Sequence, residues 1–353
     1  MRTGDASQGG TATASPAAAS LPVPVEIGAP TAVGSLPHTD RDQAVAFVLD
    51  ALPELPALPS LPALDPREGM VAQAAWGLAG VAVGADGTLA VDPAALDPEA
   101  PLGDAELSGP PFATWRAFLA AVAGRTTPLK LQLTGPVTLA RALHRAGVEP
   151  GLAVRIAGPA VRARSRALHD AVRAVAPGAP LVAVLDEPGL VGGFPLDVAD
   201  PETLIDLVSS ALALWEPRAV TGIHCCGETD WKALLQTGPR ILSAPVGAAF
   251  APGAAALAAF LERDGWIAWG AVPTDRPLGD SASHWWRLLS AQWCELVRAG
   301  CDPVRIRCQA LVTPACGLAG HRLPQAELVL ELSRAVGLRI HDQLAGVRLS
   351  VGA

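Results

Sequence analysis

Residues 181–188 read Leu-Val-Ala-Val-Leu-Asp-Glu-Pro, in which five apolar residues are followed by two carboxylates and a proline. A short apolar run without polar alternation is typical of a strand that is buried on both faces, as in a parallel sheet. The two carboxylates are not core packing, because burying them unpaired would be costly. We therefore expect a central parallel strand whose carboxyl end carries either a polar site or salt bridges to arginines of the rim.

The same pattern recurs along the chain, where apolar runs alternate with longer segments of helical period. Strands are predicted at residues 31–33, 129–133, 181–185, 219–223, 241–244, 267–271 and 309–312, and an eighth at 57–61 closes the sheet. Helices are predicted at residues 41–52, 112–123, 137–146, 152–174, 201–214, 231–235, 253–263, 281–299 and 324–336, several of them behind a capping residue such as Asp40, Asp200 or Asp280. This alternation predicts an α/β fold, a (β/α)8 TIM barrel with an eight-stranded parallel sheet.

Residues 25–353 are expected to form this barrel as one domain, since the length suits a barrel with insertions. The proline-punctuated residues 52–66 and the glycine-rich residues 77–87 are interpreted as an insertion between the early units. Residues 1–24 are rich in Ala, Ser, Thr, Gly and Pro and lack the pattern of a signal peptide. We interpret them as a disordered tail.

Charge and composition exclude several classes of partner. A net charge of −8 without a long basic run does not favour nucleic-acid binding. The apolar runs are too short to span a bilayer, so the protein is expected to be cytoplasmic and to bind no membrane. Six cysteines in 353 residues do not form a disulfide framework, which leaves metal binding or burial as their role.

Polar residues follow the predicted strands where their carboxyl ends should meet, which is the face on which barrel active sites are built. They are Ser35, Thr134, Asp186, His224, Asp275 and Cys316.

The sequence Ile223-His224-Cys225-Cys226-Gly227 contains a possible pair of metal ligands. Residues i and i+2 of a strand point the same way, so His224 and Cys226 can face one ion while Cys225 points elsewhere. Cys316 ends another strand and completes a His, Cys, Cys set that suits zinc and leaves a position open for substrate. The alternative is a core histidine with cysteines that serve only as packing.

Two further segments are candidates for substrate binding. Gly34 and Ser35 form a small, flexible pair that lets backbone amides and a hydroxyl approach a carboxylate, although such a turn is common. Of Asp186 and Glu187, one is expected to bind a cationic group of the substrate.

Taken in order, five motifs resemble the C-terminal catalytic barrel of the cobalamin-independent methionine synthase family. They are Gly34-Ser35-Leu36-Pro37, Leu133-Thr134-Gly135-Pro136-Val137-Thr138, Asp186-Glu187-Pro188, His224-x-Cys226 and Pro314-x-Cys316-Gly317-Leu318. The resemblance covers residues 28–340 and is to a short, single-barrel relative. It implies Zn²⁺ held by His224, Cys226 and Cys316, homocysteine held by Ser35 through its carboxylate and by Asp186 through its ammonium, and methyl transfer to sulfur.

The chain departs from the family pattern at four places. The Glu that serves the family as a fourth zinc ligand has no counterpart, since no Asp or Glu lies between Asp230 and Glu262. Asp275 stands where the family has a His proton donor, and Ala72 where it has a second Glu for the homocysteine ammonium. Gly192 replaces a Glu that contacts the folate.

These features predict a zinc-dependent thiol methyltransferase. Zinc bound by two thiolates and an imidazole lowers the pKa of an incoming thiol, here homocysteine, and presents the thiolate to a methyl donor. Asp275 is the candidate acid for a pterin leaving group, whereas a corrinoid donor needs none. One alternative is a methyltransferase for another thiol that takes methyl from a corrinoid protein, as in the uroporphyrinogen decarboxylase superfamily. Another is a zinc-binding barrel without activity.

Overall fold

A parallel six-stranded sheet forms the centre of the computed structural model, which describes residues 21–99, 102, 107–279 and 281–350. The strands are β1 (Val81–Val83), β2 (Leu89–Val91), β3 (Leu129–Thr134), β4 (Leu181–Asp186), β5 (Val220–His224), β6 (Ile241–Pro245), β7 (Trp266–Val272) and β8 (Ala310–Pro314). Strands β3 to β8 pair in chain order, and every neighbouring pair is parallel. The six regular strands confirm the parallel α/β fold predicted from the apolar runs.

The register of the sheet places polar residues in one row. Thr134 pairs with Asp186, Asp186 with His224, and His224 with Ser243. All four residues lie at or near the carboxyl ends of their strands. The sheet therefore brings together side chains that are separated by more than a hundred positions in the sequence.

The two earliest predicted strands do not form regular strands, which corrects the expectation of eight. Residues 31–33 and 57–61 make only isolated parallel bridges, Pro30 with Val312, Ser35 with Ser60, and Ala57 with Lys130. These bridges run from β8 through both segments to β3. The reason is local, because prolines remove backbone donors from residues 52–66 and Gly34 has a φ of +147°.

Helices surround the sheet and agree with the predicted ones within two residues at most ends. They are α1 (Arg41–Ala51), α2 (Met70–Ala75), α3 (Ala113–Ala121), α4 (Pro136–Arg145), α5 (Pro150–Val175), α6 (Pro201–Ala213), α7 (Trp231–Gln236), α8 (Ala254–Glu262), α9 (Ala282–Arg298), α10 (Pro303–Cys308) and α11 (Leu323–Ser350). Asp40 and Asp200 cap α1 and α6 as expected. Asp280 lies outside the described residues, and so do residues 1–20 of the predicted tail.

Three differences concern short or extended elements. Helices α2 and α10 are too short to show a helical period, and α11 continues 14 residues past its predicted end. Strand β1 lies within the predicted insertion and pairs with β2, just past it, as an antiparallel hairpin. Among the described residues, no helix is long and apolar enough to cross a membrane.

Candidate metal centre and active site

The three predicted metal ligands converge at the carboxyl end of the sheet. His224 ends β5, Cys226 follows it by two residues, and Cys316 lies two residues past β8. Their candidate ligand atoms all lie within 4.8 Å of one another. Cys225 is fully buried in the apolar core, as the alternation of a strand predicts, and burial raises the pKa of its thiol to about 12.

His224 has one ring nitrogen engaged and one free. Its Nδ1 lies 2.9 Å from the Oγ of Ser243 on β6, whereas its Nε2 is buried without a hydrogen-bond partner among the described residues. A buried polar atom without a partner is costly, and a metal ion would satisfy it. If Nδ1 donates its proton to Ser243, Nε2 presents a lone pair to the two sulfur atoms.

The two cysteines interact directly. Interaction with Cys226 and with His224 lowers the pKa of the Cys316 thiol, although burial opposes this change. Interaction with Cys316 and burial raise the pKa of the Cys226 thiol. Two sulfur atoms and one imidazole thus share a small volume, and this donor set suits zinc.

Asp186 lies beside this cluster at the end of β4. Burial raises the pKa of its carboxyl group to about 6, although the positive charge of Lys130 opposes the rise. Its Oδ1 is buried and has no hydrogen-bond partner among the described residues. A cationic substrate group is therefore a good partner for this carboxylate.

The segment that carries Gly34 and Ser35 lies against the end of β8. The backbone carbonyl of Ser35 accepts a hydrogen bond of 2.8 Å from Leu318, and a Cβ at Gly317 would collide with the Ser35 Oγ. Gly34 has a φ of +147°, and a Cβ there would collide with the side chain of Gln132. Glycine is thus favoured at position 34, where both the backbone conformation and the space disfavour a side chain, whereas a Cβ at position 317 would require the Ser35 hydroxyl to move.

These groups line one cavity of about 290 Å³ at the carboxyl end of the sheet. Its walls include the side chains of Ser35, Asp186, His224, Cys226 and Cys316. The remaining lining residues are Val33, Ser60, Pro62, Met70, Gln73, Trp115, Gln132, Leu133, Thr134, Pro188, Gly317, Ala319 and Gly320. A cavity of this size, which combines apolar walls with several polar side chains, suits a small molecule.

Glu187, the second of the two candidates for substrate binding, does not line the cavity. It is fully buried and accepts hydrogen bonds from the backbone amides of Val137 and Thr138 at 2.9 and 2.7 Å. The Thr138 hydroxyl donates a third at 2.6 Å. Because successive residues of a strand point to opposite sides, Asp186 faces the cavity and Glu187 joins β4 to the start of α4.

Asp275 also lies away from the cavity. It is exposed on the loop after β7 and forms a salt bridge of 2.9 Å with Arg276, which lowers the pKa of Asp275. Ala72 is buried in α2, and nothing lies within 4 Å of a Cβ built on Gly192. Position 275 thus carries a carboxylate that lies away from the metal-ligand cluster, and positions 72 and 192 carry none.

Sequence reasoning missed Ser243 and Lys130. Ser243 pairs with His224 in the sheet, but a serine within a strand carries no distinctive pattern. Lys130 is the second residue of β3, which reads Leu-Lys-Leu-Gln-Leu-Thr, and a lysine in a buried strand was a usable signal.

The fold resembles solved methyltransferase structures. A methyltransferase from Methanosarcina mazei is 17% identical, with a TM-score of 0.54, and the match covers 89% of this chain and 94% of that one. A B12-independent methionine synthase from Shewanella sp. W3-18-1, solved in complex with selenomethionine, is 14% identical with a TM-score of 0.57. That match covers 91% of this chain and 99% of the other. No family model and no curated protein matches the chain. At these identities the likeness establishes the fold, a parallel α/β sheet similar to that of the B12-independent methionine synthases.

Proposed function

We propose that this protein is a zinc-dependent thiol S-methyltransferase that converts homocysteine to methionine. The observation that carries the proposal is the cluster of His224, Cys226 and Cys316, whose ligand atoms lie within 4.8 Å of one another on the wall of a cavity that also contains Asp186. The structural likeness to methyltransferases supports it.

The cluster fits zinc by its chemistry. Two sulfurs and the free Nε2 of His224 would hold the ion and leave a position open toward the cavity. A zinc ion there would supply the positive charge that lets a thiol ionise at neutral pH. Because no described Asp or Glu side chain joins the three ligands, we propose that the protein supplies three ligands.

The other cavity groups would hold the amino-acid half of the acceptor. Asp186 offers a carboxylate without a hydrogen-bond partner to the ammonium group, and Ser35 lies on the turn where a carboxylate can approach. Neither residue is needed to bind a metal, which favours an enzyme over a barrel that only binds zinc. The cavity fixes the sulfur relative to the donor, which is a task of positioning.

We also propose that residues 25–353 form one barrel domain. The isolated bridges from Val312 through Pro30, Ser35, Ser60 and Ala57 to Lys130 support closure of the sheet through residues 31–35 and 57–60. Backbone hydrogen bonds of 2.9 Å from the Thr31 amide to the Val312 carbonyl and from the Leu36 amide to the Ser60 carbonyl also support this closure.

The test is the zinc content and the activity of the purified chain. We expect about one zinc per chain, lost when Cys226→Ala and Cys316→Ala are combined and kept in the control Cys225→Ala, whose thiol lies in the core. The zinc-loaded protein should methylate homocysteine with methylcobalamin or methyltetrahydrofolate as donor. Purified protein without zinc, or a double variant that retains its zinc, would refute the metal site. Bound zinc without methyl transfer would mean that the protein binds zinc but is not a methyltransferase.

A further inference from the structure

Lys130 is an unusual basic residue in this chain. It is one of only two lysines among 26 basic residues, and it is 6% exposed at the second position of β3. A buried cation is costly unless hydrogen bonds and an opposite charge surround it. Its Nζ donates to the backbone carbonyl of Val33 at 2.9 Å and to the Oε1 of Gln132 at 3.3 Å.

The opposite charge comes from Asp186. Lys130, Asp186 and His224 line a chamber of about 20 Å³ within the sheet, beside the hydroxyl groups of Thr31 and Thr313. Of the described residues that line this chamber, Ser243 is the remaining polar one and Asp186 is the only carboxylate. Lys130 and Asp186 stabilise each other's charge across it.

The hydrogen bond to Val33 acts on the least regular part of the sheet. Residues 31–35 and 57–60 are held by isolated bridges rather than by a continuous ladder. Lys130 fixes the carbonyl that precedes Gly34 and Ser35, and its neighbour Gln132 donates to the carbonyl of Leu58. Side chains of β3 thus replace the missing ladder on both segments.

We propose that Lys130 is a positioning residue that holds Ser35 and Asp186, the two recognition groups for an amino-acid ligand, at a fixed separation. One Nζ proton is donated to the turn that carries Ser35, and the ammonium charge faces Asp186 without contacting the ligand. Lysine suits this place because its ammonium is compact, whereas the planar fork of arginine needs more donors satisfied. The inference rests on the proposed function, because it assumes that an amino-acid thiol binds in this cavity.

The test compares Lys130→Met with the matched control Lys232→Met, which removes the exposed lysine of α7. Calorimetric titration of zinc-loaded full-length protein would use homocysteine, 4-mercaptobutyrate, 3-mercaptopropylamine and 1-propanethiol. We expect Lys130→Met to weaken homocysteine about ten- to a hundredfold, the two half-ligands less, and 1-propanethiol within about twofold. Lys232→Met should bind all four as the unmodified protein does, and both variants should keep their zinc.

An equal loss for all four thiols, or unchanged homocysteine binding, would overturn the proposal. A measurement on the unmodified sequence covers the case in which Lys130→Met does not fold. Lysine labelled with 15N at Nζ gives one resonance for each of the two lysines, and Lys232→Met assigns them. Homocysteine should shift the Lys130 resonance and 1-propanethiol should not, so an unshifted resonance also overturns the proposal.

The outcomes separate this inference from the proposed function. If the protein binds homocysteine through Ser35 and Asp186 but transfers no methyl group, the proposed function is refuted and the role of Lys130 stands. An active enzyme in which Lys130→Met binds homocysteine normally would refute only the role of Lys130.

Discussion

At the scale of single residues, the imidazole of His224 depends on a group outside the ligand set. The Ser243 hydroxyl lies 2.9 Å from Nδ1, and it holds the ring so that Nε2 faces the two sulfur atoms. Such partners of metal-binding histidines fix ring orientation, and their loss weakens metal binding about 10–100-fold.

We therefore predict that Ser243→Ala lowers zinc affinity by about 10–100-fold, measured by competition with a chelator. The control is Ser35→Ala. The Ser35 hydroxyl lies on the wall of the cavity that His224, Cys226 and Cys316 also line, but it makes no hydrogen bond to their ligand atoms. Its zinc affinity should stay unchanged. Equal affinities for Ser243→Ala and the unmodified protein would show that the serine does not orient the histidine.

Asp186 gives a second prediction at this scale. Asp186→Asn should weaken homocysteine by about 1.5–3 kcal/mol, because a charge-assisted contact with the ammonium is lost. Binding of 1-propanethiol, which has no ammonium, should change little. Asp275→Asn is the control, since Asp275 is exposed and paired with Arg276, and it should bind both thiols normally. Equal weakening of both thiols by Asp186→Asn would assign the carboxylate to the fold.

Strand alternation explains which residue roles could be predicted. It correctly placed His224 and Cys226 on one side and Cys225 on the other. It also separates Asp186 from Glu187, but that pair was treated as two candidates for one role. The partner of His224 depends on the register of β5 with β6, which no local pattern contains.

At the scale of elements, the junction between β4 and α4 is held by Thr138. Its hydroxyl donates to Glu187 at 2.6 Å and accepts from the backbone amide of Gly189 at 2.9 Å. Burial raises the pKa of Glu187 to about 7 in spite of its three hydrogen bonds. The junction fixes where β4 ends and therefore where Asp186 projects.

We predict that Thr138→Val lowers the free energy of unfolding by about 1–3 kcal/mol, because the amide of Gly189 loses its buried acceptor. Thr203→Val is the control, since Thr203 makes a similar hydroxyl contact with Asp200 on an exposed helix start, and it should cost less than about 1 kcal/mol. Urea unfolding at fixed zinc concentration measures both. A cost for Thr138→Val no larger than that of Thr203→Val would contradict the role given to this junction.

Regular elements were predictable because their residues share one environment. Strands β4 and β7 are apolar runs buried on both faces, and the longer helices show a helical period. Residues 31–33 and 57–61 could not be predicted correctly, since their pairing depends on bridges and on side chains of β3 rather than on their own pattern.

At the scale of the whole molecule, parallel pairing gathers the polar strand ends into one cavity. The titratable groups on its wall are Asp186, His224, Cys226 and Cys316. In the proposed function each of them has a partner, namely the ammonium group or the metal. Among the residues that the structure describes, the cavity wall therefore offers no further acid to protonate a leaving group.

This arrangement bears on the methyl donor. A pterin leaving group departs with the bonding electron pair on nitrogen, so that nitrogen must be protonated. A corrinoid leaving group needs no proton. Asp275, the expected acid, is exposed and paired with Arg276, and no side chain stands at Gly192 to contact a folate.

We therefore predict that methylcobalamin methylates homocysteine about tenfold faster than methyltetrahydrofolate does, because the missing proton transfer is worth at least that factor. Initial rates at saturating homocysteine and equal zinc loading measure the ratio, and Asp275→Asn should leave both rates unchanged. A faster folate reaction that Asp275→Asn abolishes would mean that the loop after β7 carries the acid into the cavity.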